Sequence, residues 1–115
     1  MGFKVETGMY AGKLEDAGAA AKRAEDLGYD GINTAETAHD SFLPLVLAAE
    51  HTERINLGTS VAIAFPRSPM VTAMVAWDLQ RYSNGRFILG LGTQVKGHNQ
   101  RRFSVPWTPP APRIR

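Results

Sequence analysis

The sequence predicts an α/β fold in which parallel strands alternate with helices. Short apolar segments recur four times, and each ends in polar or glycine residues. These ends are residues 6–8, 33–36, 58–60 and 90–94, and helical segments separate most of them. Parallel strands joined by crossover helices all finish on the same side of a sheet. We therefore expect the polar ends to meet on one face, which is where folds of this kind bind ligands.

The four predicted strands have the apolar character of strands that helices cover. They comprise residues 3–6, 31–34, 55–63 and 86–91. The third is apolar on both faces, as a strand buried between two layers requires.

The first predicted helix covers residues 14–27 and has a stripe of small apolar residues. Its members recur at helical spacing: Ala17, Ala20, Ala21, Ala24 and Leu27. Small side chains allow close packing of this helix against its neighbours. Gly28 stands where a glycine commonly ends a helix.

Two further helices are predicted at residues 42–51 and 69–82. Asp40 or Ser41 can cap the first of them, and Ser68 followed by proline is a strong start for the second. The last helix should direct an apolar face inward, formed by Val71, Met74, Val75, Leu79 and Tyr82. We also expect Asp78 to pair with Arg86, because a buried carboxylate needs a charged partner.

Composition excludes several classes of protein. The 115 residues are 43% hydrophobic and 21% charged, which is typical of one globular domain. No apolar run approaches the roughly 20 residues of a membrane span, and the N-terminus has no signal-peptide core, so we expect a cytoplasmic protein. There is no cysteine, which excludes disulfides and thiolate sites.

Charge and histidine spacing argue against nucleic acid and metal as ligands. The net charge is only +2, and the basic residues gather near the C-terminus without the interleaved aromatics of a nucleic-acid-binding arm. The three histidines, His39, His51 and His98, are far apart in sequence and form no zinc motif.

Several strand ends carry residues with chemical potential. Glu36 and His39 follow the second strand and are acid–base candidates. Thr59 and Ser60 can offer hydroxyls to a ligand, or can simply be satisfied within an ordinary strand. Lys96, His98 and their neighbours follow the fourth strand, where they either serve the site or face solvent.

The glycines of the fourth strand end admit two interpretations. Gly90 and Gly92 fail the dinucleotide-binding fingerprint, because Val95 stands where a third glycine would be. Without side chains they allow the backbone to pass close to a flat ring, or they relieve crowding beside Gly58.

Longer motifs resemble the luciferase-like monooxygenase superfamily. The resemblance lies in residues 54–61, in 65–69 (Phe-Pro-Arg-Ser-Pro) and in 78–92. More narrowly, residues 34–40 and 94–103 are similar to the branch of deazaflavin (coenzyme F-420)-dependent oxidoreductases. The similarity covers nearly the whole chain.

This resemblance implies the N-terminal half of a (β/α)8 TIM barrel, with four parallel strands and three complete helices, ending before the fourth helix. Residues 1–94 would form the partial barrel, and residues 95–115 a polar, proline- and arginine-rich loop leading to a missing remainder. Because a closed barrel takes about 250 residues, we expect the chain to be a fragment of a longer protein.

The function implied is hydride transfer to or from a small organic substrate, with coenzyme F-420, or alternatively FMN, lying across the strand ends. A monooxygenase reaction is a variant of this. Many members of the superfamily have a non-proline cis peptide after the third strand, which here would join Ser60 and Val61.

Site residues follow from the resemblance position by position. Glu36, His39 and Glu6 would be catalytic. The cofactor would contact Thr34, Thr59, Ser60, Val61, Gly92, Thr93 and Gln94, and the substrate loop would include Lys96 and His98. This chain has Ala35-Glu36 and then His39 where some relatives have an Asp-His pair, so the proton donor stays open between Glu36 and His39.

A non-catalytic interpretation remains as the alternative. A truncated half-barrel could self-associate or bind a partner, since two copies would supply eight strands. The partners expected are thus a small-molecule substrate and, in the self-associating alternative, a second copy, with no nucleic acid, membrane or metal.

Overall fold

A computed structural model describes residues 2–115 as a parallel sheet covered on one face by helices. Within this range the strands are β1 (Glu6–Gly8), β2 (Gly31–Thr34), β3 (Asn56–Thr59), β4 (Ala62–Ile63), β5 (Phe87–Ile88) and β6 (Leu91–Gly92). The helices are α1 (Ala17–Asp26), α2 (Leu43–His51), α3 (Pro69–Tyr82), α4 (Lys96–Arg101) and α5 (Pro110–Ile114), and a 3-10 turn at Leu14–Asp16 precedes α1.

The main sheet has the strand order β1-β2-β3-β5, and every neighbouring pair is parallel. Glu6 lies beside Gly31, Gly31 beside Asn56, and Leu57 beside Phe87. A second parallel pair joins β4 to β6. Sequential parallel strands with a helix after each of the first three main strands confirm the predicted part of a (β/α) barrel.

Strand boundaries differ from the prediction in three places. The first strand begins at Glu6 and not at Phe3, which is fully exposed. The third and fourth predicted strands each divide in two. The chain leaves the main sheet after Thr59 and pairs again at Ala62. As a result β5 pairs with β3, whereas β6, which follows β5, pairs with β4.

Helices α1 and α2 pack closely through small residues. Ala17, Ala21 and Ala48 are completely buried, and a side chain at Gly18 would collide with the ring of His51. The predicted alanine stripe is therefore confirmed at Ala17, Ala21 and Ala24. The inclusion of Leu27 was wrong, since α1 ends one residue earlier and 68% of Leu27 is exposed.

Helix α3 begins where the sequence predicts, but its apolar residues are not all buried as predicted. The Ser68 hydroxyl accepts a hydrogen bond from the Val71 amide at 3.1 Å, and Pro69 is the first helical residue. Leu79 is buried, whereas Val71, Met74 and Tyr82 are each at least half exposed. The prediction that all five residues face inward was wrong, because α3 rests on α2 and β5 along only a narrow strip.

Arg86 has a different role from the one predicted. Its guanidinium donates to the carbonyls of Ala49, Thr52 and Ile55 at 3.2, 2.9 and 2.8 Å. It thus satisfies carbonyl groups at the C-terminal end of α2, which a helix leaves without partners. Asp78 is exposed on α3, so the expected pair between Asp78 and Arg86 was wrong.

Residues 95–115 contain α4 and α5 and are not the continuous loop that the sequence predicts. The Arg113 guanidinium donates to the Phe65 carbonyl at 3.3 Å and lies 4.3 Å from the centroid of the Phe65 ring. This contact returns the end of the chain to the segment after β4. The boundary predicted at residue 94 stays a prediction.

Glu25 joins α1 to the turn before β3. Its carboxylate accepts hydrogen bonds from the amides of Glu53, Arg54 and Ile55, the shortest at 2.7 Å. Burial alone would raise the pKa of Glu25, but these three donors and the Lys22 charge outweigh it and lower the pKa from 4.5 to about 2.

We predict that this carboxylate makes the fold sensitive to acid. A folded-state pKa below the unfolded value adds stability above pH 4.5, and this contribution is lost as the pH falls towards about 2. Glu25→Gln should lower the free energy of unfolding at pH 7 and reduce its loss in acid, as measured by urea denaturation. Glu15→Gln, on an exposed residue, is the control; an unchanged acid dependence in Glu25→Gln would contradict the assignment.

Candidate active site at the strand ends

Three chain segments meet where the parallel strands end. The Ser60 amide donates to the Thr34 carbonyl at 2.6 Å, and the Glu36 amide donates to the Val61 carbonyl at 3.4 Å. On the other side, the Ala62 amide donates to the Gly90 carbonyl at 2.9 Å. The polar ends of the second, third and fourth predicted strands therefore gather at one edge, as the sequence predicts.

The segment between β3 and β4 occupies the middle of this edge. The Ser60–Val61 peptide bond is cis, as the resemblance implies. Ser60 is exposed, and 42% of Val61 is exposed. Both side chains are thus available to a ligand.

Glycines of the neighbouring strand make room for this segment. A side chain on Gly90 would collide with the Thr59 carbonyl, and one on Gly92 would come within 2.5 Å of the Val61 side chain. Both glycines do lie in crowded positions, although the crowding comes from Thr59 and Val61 rather than from Gly58. The close approach to a flat ring stays a prediction.

Two predicted cofactor contacts are buried. The Thr34 hydroxyl donates to the Ser41 carbonyl at 2.6 Å, and the Thr59 hydroxyl donates to the Gly90 carbonyl at 2.8 Å while accepting from the Gly90 amide at 2.9 Å. Only 6% and 4% of these residues are exposed. Both hydroxyls therefore connect backbone segments. The two threonines are buried because the even-numbered residues of β2 and the odd-numbered residues of β3 lie on the face of the sheet that the helices cover.

The face of the sheet that the helices leave uncovered carries Glu6 and also Asn33, which the sequence analysis did not name as a site residue. Glu6 is exposed, and its carboxylate accepts a hydrogen bond from the Asn33 side-chain amide at 2.8 Å. A side chain on Gly58 would collide with the Asn33 amide oxygen, so that amide lies over Gly58. The period of two in β2 places Asn33 opposite to the buried Ile32, which is a signal present in the sequence.

Glu36 is held in a network of hydrogen bonds and charges. One carboxylate oxygen accepts from the Ser41 hydroxyl at 3.1 Å, from the Ile63 amide at 3.2 Å and from Arg67 at 2.9 Å. The guanidinium also donates to Asp40 at 2.9 Å. Burial by itself would lower the pKa of Arg67, but the two carboxylates raise it above its usual value.

His39 and Asp40 separate in role although they are adjacent. The Asp40 carboxylate accepts from the amides of Phe42 and Leu43 at 2.7 and 2.9 Å, so it satisfies two amides at the start of α2, although Phe42 and not Asp40 or Ser41 is the N-cap residue. His39 is exposed and lines a cleft of about 400 Å³ between the loops that follow β1 and β2. Its imidazole is free to meet a ligand there.

The end of β6 turns sharply into α4. Thr93 and Gln94 are half-buried, and Gln94 has a φ of +57°. Asn99 is buried, and its amide donates to the Thr93 carbonyl at 3.0 Å. Lys96 and His98 are exposed, and the Lys96 ammonium lies 5.5 Å from the centroid of the Trp107 ring.

An apolar groove lies beside this edge and not within it. It measures about 960 Å³ between α2 and α3, and Phe42, Val46, Val75 and Leu79 are among the side chains that line it. Among residues 2–115, no three acidic or histidine side chains are grouped so that they could hold a metal ion. In the same range, no helix is long and apolar enough to span a membrane.

The parallel strands form part of an α/β barrel, with a candidate site at its strand ends. Residues 2–115 match the family model of luciferase-like monooxygenases. The chain belongs to the luciferase-like monooxygenase family.

The chain is similar to one uncharacterized protein in sequence and to two named enzymes in structure. An uncharacterized protein of Mycobacterium tuberculosis is 56% identical over 94% of this chain, which spans 32% of that protein. The coenzyme F-420-dependent tetrahydromethanopterin reductase of Methanopyrus kandleri is 27% identical, with a TM-score of 0.74 over 91% of this chain and 30% of that one. The oxygenating constituent of 3,6-diketocamphane monooxygenase from Pseudomonas putida, in complex with FMN, is 18% identical, with a TM-score of 0.75 over 89% and 32%.

We predict that the crowded glycines tolerate no side chain. Gly90→Ala should lower the free energy of unfolding by about 1–3 kcal/mol, because its methyl group would meet the Thr59 carbonyl. Urea denaturation measures the change, and Gly12→Ala, where nothing lies within 4 Å, is the matched control. Equal stability of the two variants would show that the β3–β4 segment moves aside at little cost.

Proposed function

We propose that this chain belongs to an oxidoreductase that transfers a hydride to or from a small organic substrate, with coenzyme F-420 as cofactor and FMN as the alternative. The observation that carries the proposal is the exposed Ser60–Val61 segment, held from both sides at the edge where the strands end. The similarity to an F-420-dependent reductase supports it. Cytoplasmic location and a small-molecule partner are part of the proposal.

The residues at this edge fit a flat ring with polar margins. Val61 offers an apolar surface, and the hydroxyl of Ser60 can bond a ring carbonyl or nitrogen. Gly92, Thr93 and Gln94 would contact the ring from the neighbouring strand end. When bound, the cofactor supplies the carbon that carries the hydride, while the protein positions it and excludes water.

Proton transfer falls to residues that are accessible. His39 and Glu6 are both exposed near the strand ends, and each can exchange a proton with a ligand. The Asn33 amide orients the Glu6 carboxylate. Lys96 and His98, at the start of α4, would face the substrate or the polar tail of the cofactor.

We predict micromolar or tighter binding of coenzyme F-420 by the protein expressed from the whole reading frame that contains these residues. Fluorescence titration with F-420 and with FMN measures both affinities. The 115-residue chain alone should bind either cofactor poorly, because phosphate-binding loops in such barrels follow the seventh and eighth strands. If the whole protein binds neither cofactor, the proposed function is wrong.

A titration of the whole protein with F-420, followed by NMR, tests whether His39 lies at the cofactor site, and it needs no substrate. When F-420 is added, ring currents of its aromatic system should shift the NMR resonances of the His39 imidazole protons. His51, which closes α2 and bonds the Leu47 carbonyl, is the control and should not shift. Shifts at both histidines or at neither would remove His39 from the site.

A second candidate function rests on the outer surface. Val71, Met74, Trp77 and Tyr82 of α3 are between 50% and 72% exposed, which is unusual for large apolar side chains on one helix. This observation favours the alternative of a non-catalytic half-barrel that self-associates or binds a partner.

Size-exclusion chromatography with light scattering tests the alternative on the 115-residue chain. A clean dimer would support self-association of the half-barrel. A monomer, or aggregated material, would contradict self-association of the half-barrel.

A further inference from the structure

Glu36 holds the β3–β4 segment on both sides of Ala62. Its carboxylate accepts from the Ile63 amide at 3.2 Å, and its own backbone amide donates to the Val61 carbonyl at 3.4 Å. Only 6% of the Glu36 side chain is exposed. A single residue therefore fixes the path of the chain directly after Ser60.

Arg67 holds Glu36 in place from the far end of the same segment. Its guanidinium donates to the Glu36 carboxylate at 2.9 Å, to the Ile63 carbonyl at 3.0 Å and to Asp40 at 2.9 Å. It also lies 5.0 Å from the centroid of the Phe42 ring. The planar fork of arginine can satisfy several acceptors at once, which the single ammonium of lysine cannot do in the same geometry.

Strand β6 completes the enclosure from the opposite side. The amides of Ala62 and Ala64 donate to the carbonyls of Gly90 and Gly92, both at 2.9 Å. Ala62 and Ile63 are consequently buried, while Ser60 and Val61 remain exposed. The position of the two exposed residues is thus set by the fixed residues that follow them.

We propose that Glu36 and Arg67 are positioning residues that place Ser60 and Val61 for the ligand, and that Glu36 is not the proton donor. A carboxylate oxygen that serves three donors, one of them a guanidinium, is committed to its ion pair. Proton transfer through Glu36 would leave the partly buried Arg67 charge with Asp40 as its one carboxylate partner. The identity of the ligand rests on the proposed function, whereas the placement of the segment does not.

Amide hydrogen exchange followed by NMR tests the placement on the protein expressed from the whole reading frame, without cofactor. Arg67→Gln should speed exchange at the Ile63 amide about tenfold or more and shift the amide resonances of Ser60 and Val61, since hydrogen bonds to charged groups are lost. The Leu57 amide, bonded to the Arg86 carbonyl within the main sheet, should be unaffected. Arg81→Gln, on an exposed arginine of α3, is the matched control.

A conservative variant separates positioning from general destabilisation. Arg67→Lys keeps the charge beside Glu36 but not the fork, so its effect at Ile63 should lie between those of the wild type and Arg67→Gln. Unchanged exchange at Ile63 in Arg67→Gln would overturn the proposal. An equal increase at Leu57 would also overturn it, because the ion pair would then support the fold as a whole.

Glu36→Gln distinguishes this role from acid catalysis in the whole protein. The amide retains an acceptor for Ile63 but loses the ion pair, so positioning predicts an affinity for F-420 that is about tenfold weaker. An unchanged affinity would contradict positioning. If the wild-type protein binds no cofactor, the proposed function fails, and the exchange experiment still decides the placement of the segment.

Discussion

Parallel hydrogen bonding between β1, β2, β3 and β5 sends the carboxyl end of every main strand to one edge of the sheet. Each helix then has to return along the covered face, and the loops that follow the strands meet at the same edge. Residues far apart in sequence become neighbours for this reason, as Thr34 and Ser60 do across a 2.6 Å hydrogen bond. The candidate site is a direct consequence of this arrangement.

At this edge, buried and exposed polar groups have separate tasks. The hydroxyls of Thr34 and Thr59 satisfy backbone groups where the ladder between strands is interrupted, because buried polar atoms need partners. The Glu36–Arg67 ion pair does the same for the segment that follows. Ser60, His39 and Glu6 remain exposed, so a ligand can approach them without disturbing the internal bonds.

The sequence analysis predicted several elements of this fold with their correct boundaries. Strand β2 has the predicted boundaries. Helix α3 has them too, since Ser68-Pro69 and Asn84-Gly85 are strong local signals at its two ends. The cis bond between Ser60 and Val61 followed from the resemblance, whereas the division of the third strand was not predicted. The exposed face of α3 was not predicted, because its apolar pattern is the same whether or not a neighbour covers it.

The sequence by itself determined the order of the main strands and of α1, α2 and α3, the cap of α3 and the gathering of polar residues at one edge. These depend on contacts within a few residues and on the geometry of parallel strands. Only the tertiary structure decided that Glu36 pairs with Arg67, that Arg86 bonds the end of α2 and that the hydroxyls of Thr34 and Thr59 are enclosed. Each of these partners lies on another element, and no local pattern specifies which of several polar groups will be the one within reach.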